Sequence, residues 1–141
     1  MKTLRLFVAI TLLAGLSLSC RAAYRHAKTE LASVLIHRAW QAKALTSESR
    51  PPWPSADTHP IARLQIPRLS YDEIVLEDAN PRTLAFGPAR LLSGAAPGEP
   101  GNLVVAGHRT SWFKPLEAIA LGDTLEVQWF DNRSYQLRER A

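Results

Sequence analysis

The residue best placed to do chemistry is a histidine that follows the most apolar strand-like segment of the chain. The segment NLVVAG, residues 102–107, predicts a β-strand at the centre of a sheet, and Gly107 and His108 come at its C-terminal end. Gly107 permits a close backbone approach, so we expect His108 to project from a rigid support into a loop. An imidazole can donate and accept protons near neutral pH, which favours a role in proton transfer. A solvated loop histidine is the alternative that the pattern alone leaves open.

Sequence spacing places no second chemical group beside this histidine. Cys20 is the only cysteine, so the chain can form neither an intramolecular disulfide nor a multi-cysteine metal site. No serine and aspartate are spaced to complete a Ser-His-Asp triad. The other three histidines are interpreted as surface residues without the carboxylate spacing of a metal site: His26, His37 and His59. We therefore predict no metal site and no cofactor.

Residues 1–23 predict a signal anchor, that is, a transmembrane helix. An uninterrupted run of apolar or small residues covers positions 6–19, and Lys2 and Arg5 precede it. These fourteen residues rise about 21 Å as a helix, against roughly 30 Å of hydrocarbon, so an anchor must extend beyond the run. A cleaved signal peptide and a lipoprotein signal that ends at Cys20 are the alternatives.

The segment after the anchor predicts a helical stalk over residues 24–48 and a Pro-rich linker over residues 49–60. The stalk contains neither glycine nor proline and is rich in good helix formers. Pro51 and Pro52 end any helix. Residues at helical spacing give the stalk one weakly apolar face: Leu31, Val34, Leu35, Arg38, Ala42 and Leu45.

Residues 61–141 have the pattern of a β-domain. Five segments predict strands: IARLQIP, DEIVLED, NLVVAG, TLEVQWF and RSYQLRER. Between them, NPRTLAFGPARLL predicts a turn with a short helical or irregular piece, SWFKPLEAIALGD a short helix or loop, and Asp131-Asn132 a hairpin-like turn. Many short strands with little helix are typical of a β-barrel or sandwich. The predicted fold class is mainly β.

Composition and charge exclude some classes of protein. The chain has 141 residues, of which 46% are hydrophobic and 21% charged, values that argue for a folded domain and against wholesale disorder. Its net charge of +4 comes largely from basic residues that flank the first apolar segment. No block of consecutive lysines or arginines and no interleaving with aromatic residues points to nucleic acid, so we predict no nucleic-acid partner.

The combination of these segments resembles the sortase family. GNLVVAGHR, a helix-like segment and LGDTLEV are similar to that family around its histidine, where a strand ends in G-H-R and a G-D turn opens the next strand. PWPSADTHPIARLQIPRL and LAFGPARLLSGAAPGEPGN resemble the marine proteobacterial, or class GN, sortases. The resemblance runs from about Trp40 to the end of the chain and includes the N-terminal anchor.

The resemblance implies a closed β-barrel with a Cys-His-Arg site. In the family a cysteine thiolate attacks a carbonyl in a C-terminal sorting signal of a substrate protein, and the acyl-thioester is then transferred to an amine. His108 matches the catalytic histidine, which acts as general acid for the leaving amine and as base for the incoming one. The implied location is the inner membrane, with a single span and the domain facing the periplasm.

The chain also departs from the family. The family's cysteine and arginine lie downstream of the histidine, and Cys20 and Arg109 match neither position. Residues 110–112 depart from the Asp-containing run expected after G-H-R. We therefore expect an incomplete sortase-like barrel, truncated and inactive as given. The alternative is a non-catalytic, membrane-tethered β-domain that binds a partner at an open sheet edge by strand addition.

Overall fold

The computed structural model describes residues 2–46, 50–95, 99–129 and 133–138. The chain divides into two compact units, Met1–Ala32 and Ser33–Ala141. Two α-helices, two 3₁₀-helices and six strands follow one another in the described part: α1 (Lys2–Thr46), β1 (Pro60–Ile66), a 3₁₀-helix (Pro67–Leu69), β2 (Tyr71–Leu76), α2 (Pro81–Leu84), β3 (Ala89–Arg90), β4 (Val105–Ala106), a 3₁₀-helix (Lys114–Ala118), β5 (Thr124–Trp129) and β6 (Ser134–Arg138).

The first unit consists of the N-terminal part of α1. This helix of 45 residues contains one glycine and no proline, which explains why it continues without a break. Apolar side chains are exposed along it: Phe7, Ile10, Leu12, Leu13, Leu16 and Leu18. Within the part of the chain that the structure describes, no helix is long and apolar enough to cross a membrane. The anchor predicted over residues 1–23 therefore gains no support from the structure.

In the second unit the last turns of α1 pack on the sheet. Ile36 and Trp40 lie four residues apart on one helix face, and both are buried. They form a core cluster with residues of β2 and β3: Ile74, Leu76 and Ala89. The Pro-rich segment joins the same cluster through Trp53, whose ring contacts Phe86 edge-on at a centroid distance of 5.2 Å.

The buried face of α1 differs from the predicted apolar face. Leu31 and Val34 are exposed by 59% and 48%, whereas Lys43, which the prediction left out, is buried. Lys43 Nζ donates a hydrogen bond to the carbonyl oxygen of Pro60 at 3.1 Å, and burial lowers the pKa of this amine. The predicted face was wrong because it was based on aliphatic residues such as Leu31 and Val34. The buried Trp40 lies on the face of α1 that packs on the sheet.

The six strands form one sheet in the order β4-β3-β2-β1-β5-β6. β1 pairs antiparallel with both β2 and β5, so it lies inside the sheet, and its apolar residues are buried. β2 and β3 are parallel, whereas the β3–β4 and β5–β6 pairs are antiparallel. The strands predicted from IARLQIP, DEIVLED, TLEVQWF and RSYQLRER are confirmed as β1, β2, β5 and β6 within the described residues, whereas the turn at Asp131-Asn132 lies outside them.

The sheet curls into a half-barrel. Val105 of β4 and Val127 of β5 line the same apolar cavity of about 20 Å³. These strands are four spacings apart in the sheet, which is about 19 Å if the sheet were flat. Both valines can reach one small cavity only because the sheet bends around it. The core cluster on this concave side includes Ile61, Leu64 and Trp129.

The segment NLVVAG is not the central strand that its apolarity predicted. Only Val105 and Ala106 pair as a strand, and β4 is the outermost strand on its side of the described sheet. The residues before it are tied to a loop instead, since the amides of Leu91 and Ala95 donate to the carbonyl oxygens of Val104 and Asn102. The prediction also missed β3, whose two residues are too few to give a periodic pattern.

Candidate active site

His108 is separated from the end of β4 by Gly107 alone and is exposed. Its carbonyl oxygen accepts two backbone hydrogen bonds, from the amide of Ser111 at 3.2 Å and from the amide of Phe113 at 3.0 Å. These two bonds close a compact turn over residues 108–113. The structure therefore confirms that the histidine leaves a strand end and enters a loop, and this loop has a defined backbone.

Phe113 supports the turn from the side of Gly107. A Cβ atom added to Gly107 would lie 2.9 Å from Cε1 and from Cζ of the Phe113 ring, closer than any side chain can approach. The ring itself packs against the core cluster on the concave side of the sheet. A side chain at position 107 would therefore have to displace the aromatic ring that lies against the backbone of Gly107.

Trp112 ties the same turn to α2. Its indole Nε1 donates a hydrogen bond to the carbonyl oxygen of Leu84 at 3.1 Å. α2 is short but well defined, because Asn80 caps it by accepting from the amide of Thr83 at 2.9 Å and Pro81 occupies its first turn. The turn that bears His108 is thus attached to a second element besides its own strand.

The loop that carries His108 continues to Asp123, and an ion pair holds this far end. The carboxylate of Asp123 accepts hydrogen bonds from Arg68 Nε at 2.5 Å and from Arg68 Nη2 at 2.6 Å, and also from the amide of Ala120 at 2.8 Å. Asp123 is buried, and Arg68 donates in addition to the carbonyl oxygen of Ala118. The guanidinium, followed by the Ala120 amide, lowers the pKa of Asp123 to about 2.

Arg109 contributes little to this arrangement. Its Nε lies 3.4 Å from Oε1 of Glu117, and the two side chains are exposed by 87% and 57%. An exposed pair at that distance is worth little because water and salt screen it. The contact agrees with the interpretation of Arg109 as a surface charge rather than as the family's catalytic arginine.

The remaining sequence candidates lie elsewhere. Cys20 is a free, exposed thiol in α1 and belongs to the first unit, whereas residues 33–141 contain no cysteine. His26 is exposed as predicted, and His37 and His59 are partly buried. Burial, followed by the charge of Lys43, lowers the pKa of His59. In the described ranges, no three His, Cys, Asp or Glu side chains lie close enough to hold a metal ion.

Sequence reasoning missed the residues that fix the loop. Arg68 and Asp123 are 55 positions apart, and no local pattern joins them. The G-D turn was recognised, but the burial of its carboxylate was not. Trp112 was noted only as a departure from the family pattern. The partner of each of these polar groups is brought near by the fold, so no spacing rule could have found it.

The comparisons with known proteins agree with this architecture. Residues 64–141 match the family model described as Sortase domain. The fold is similar to a Clostridium perfringens sortase D5 transpeptidase, with a TM-score of 0.61 and 17% identity over 77% of this chain and 71% of that chain. It is also similar to sortase A from Corynebacterium diphtheriae, with a TM-score of 0.55 and 17% identity over 91% of this chain and 75% of that chain.

A shorter match has a higher sequence identity. Sortase E from Streptomyces avermitilis is 30% identical over 48% of this chain and 48% of that chain, with a TM-score of 0.43, so the chain spans about half of that protein's length. Comparison with curated protein sequences gives no significant match.

The curled β-sheet preceded by a helix is a half-barrel of the sortase-like fold. The family model covers more than half of the 141 residues. The chain belongs to the sortase family.

Proposed function

We propose that His108 is the general acid and base of a sortase-type cysteine transpeptidase. The observation that carries this proposal is its position, since His108 is an exposed histidine at a strand end on a loop fixed at both ends, within the matched domain. A rigidly held loop can keep an imidazole within reach of a reacting nitrogen. His108 would protonate the amine that leaves when the acyl-thioester forms. It would then accept a proton from the amine that attacks the thioester.

The nucleophile is not proposed among residues 33–141, because they contain no cysteine. Cys20 is not proposed for this role either, since it lies on α1 in the first unit and matches no catalytic position of the family. An imidazole alone cannot form the thioester. We therefore propose that the 141 residues by themselves do not complete acyl transfer.

The test is a transpeptidation assay on the complete gene product. The protein is incubated with a library of synthetic peptides that carry varied C-terminal sorting signals and with hydroxylamine as the acceptor amine. The hydroxamate products are detected by mass spectrometry. His108→Ala is expected to lower turnover by about 10²–10⁴-fold, as for loss of a general acid–base. His26→Ala, an exposed histidine on α1, is the matched control and should leave turnover unchanged. Unchanged turnover in His108→Ala contradicts the proposal, as does a complete protein that transfers no acyl group.

We further propose a class GN sortase that acts on a protein substrate with a C-terminal sorting signal at the periplasmic side of the inner membrane. The quoted sequence blocks at residues 52–69 and 84–102 support the class, and the basic residues beside an apolar N-terminal run support the location. Protease digestion of spheroplasts and of lysed cells measures the orientation. Protection of the domain in intact spheroplasts argues against it.

The second candidate is a non-catalytic, membrane-tethered domain that binds a partner by strand addition. β6 pairs only with β5 in the described sheet, and Leu137 on it is 53% exposed. An edge with free backbone groups and an apolar side chain suits an added strand. Analytical ultracentrifugation of the 141-residue chain together with thermal unfolding tests this candidate. A monomer that unfolds cooperatively favours it, whereas aggregation counts against it.

A further inference from the structure

Trp112 makes a contact that none of the sequence motifs required. It is half-buried, and its indole Nε1 donates to the carbonyl oxygen of Leu84 at 3.1 Å. Leu84 is the last residue of α2, where a helical carbonyl has no partner within its own helix. The indole therefore satisfies an acceptor at the helix end and fixes the turn that bears His108 against α2.

We propose that Trp112 is a positioning residue for His108, and this inference rests on the proposed function of His108 as acid and base. Trp112 and Phe113 are neighbours in the chain, and each is held by a different part of the domain. The Trp112 indole is held by the end of α2, and the Phe113 ring lies against Gly107. Two independent contacts on consecutive residues fix both the place and the direction of the backbone between them.

The contacts of Trp112 and Phe113 act on His108 through its own carbonyl oxygen. The amide of Phe113 donates to the carbonyl oxygen of His108 at 3.0 Å, so a shift of the backbone at position 112 moves the histidine. The amide of Ser111 donates to the same oxygen at 3.2 Å and moves with it. Proton transfer is sensitive to such shifts, because a displacement of about 1 Å lowers catalysis strongly.

The first measurement is amide hydrogen exchange on the 141-residue chain, which does not depend on activity. Trp112→Phe keeps an aromatic ring and removes the donor. We expect exchange of the Ser111 and Phe113 amides to rise by about two- to tenfold, as for loss of one hydrogen bond. Trp112→His should restore much of the protection, because imidazole Nε2 occupies the position of indole Nε1. Tyr135→Phe, which changes an aromatic residue on the outer strand β6, is the control and should not change these two amides.

The second measurement is kinetic and uses the complete gene product. Trp112→Phe should lower kcat while KM stays within about twofold, because positioning of the acid–base group affects the chemical step. Trp112→His should recover part of kcat. A merely structural role would not give this pattern, since loss of folded protein lowers the apparent amount of enzyme and is not reversed by a smaller ring.

Three results would overturn the inference. One is equal exchange of the Ser111 and Phe113 amides in Trp112→Phe and in the unsubstituted chain. Another is a uniform rise at all amides, including those of β1 and β5, which would make Trp112 a general packing residue. The third is an unchanged kcat in Trp112→Phe while His108→Ala is inactive, which would reject the positioning role and leave the role of His108 intact. If His108→Ala stays active, the proposed function fails first.

Discussion

The loop between Gly107 and Asp123 is held in two different ways at its two ends. At the end of the loop a buried carboxylate accepts three hydrogen bonds, two of them from Arg68. At its beginning, where His108 lies, the contacts are uncharged: an indole donor, two backbone amides and an aromatic ring. The carboxylate of Asp123 is buried, whereas its partner Arg68 and the histidine at the other end are exposed.

The two ends of the loop differ in the kind of interaction that holds the backbone. Charge-assisted hydrogen bonds to a buried carboxylate are strong and directional, so they fix where the loop meets β5. The contacts that hold the backbone at the start of the loop are neutral, and the charged side chain of Arg109, next to His108, is 87% exposed. Breaking each end separately tests whether the two ends act in these different ways.

The largest expected effect is steric and affects the beginning of the loop. Gly107→Ala places a methyl group 2.9 Å from the ring of Phe113 and must displace that ring from the core. We expect a loss of about 1–3 kcal/mol in the free energy of unfolding, typical of overpacking. Urea unfolding followed by tryptophan fluorescence measures it. Gly87→Ala is the matched control, since its added methyl group would meet its nearest atoms at 3.5 Å, an ordinary contact.

Equal stabilities of the Gly107→Ala and Gly87→Ala variants would contradict this steric account. Such a result would mean that the Phe113 ring moves aside without cost and that the beginning of the loop is not held by packing. The Trp112 hydrogen bond would then be the main support of the His108 turn.

The next effect affects the end of the loop and depends on pH. Asp123→Asn keeps an oxygen that can accept from Ala120 but removes the charge that pairs with Arg68, so the variant should unfold at a lower temperature than the unsubstituted chain at pH 7. Because the pKa of Asp123 falls from 3.8 to about 2 on folding, its stabilisation is complete above pH 4 and is lost as the pH falls through 2.

Thermal unfolding of both chains between pH 7 and pH 2 checks this prediction. The gap between their midpoints should be constant down to about pH 4 and then narrow. A gap that is already absent at pH 7 would show that the ion pair does not stabilise this end of the loop.

The sequence predicted local features of the domain but not the contacts that hold the two ends of the loop. The segments of β1 and β5 were recognised from apolar alternation, because burial on one face is a local property of a strand. The position of His108 after a strand was equally local. The order of the strands in the sheet is not a local property, and the prediction wrongly placed the apolar NLVVAG segment at the centre of the sheet. The pairing of Arg68 with Asp123 and the bond from Trp112 to Leu84 join distant positions, so only the folded chain brings them together.

The smallest expected effect concerns the exposed ion pair between Glu117 and Arg109, the residue after His108. Glu117→Gln removes the carboxylate that lies 3.4 Å from Arg109, but both side chains are largely in water. We expect a change of no more than about 0.5 kcal/mol in the free energy of unfolding, because exposed ion pairs are screened and lose side-chain entropy when they form. Urea unfolding of Glu117→Gln and of Asp123→Asn at the same pH compares an exposed carboxylate with a buried one. If Glu117→Gln destabilises the chain as much as Asp123→Asn does, the middle of the loop is held by charge as well. The division between a charged end and a neutral beginning would then be wrong.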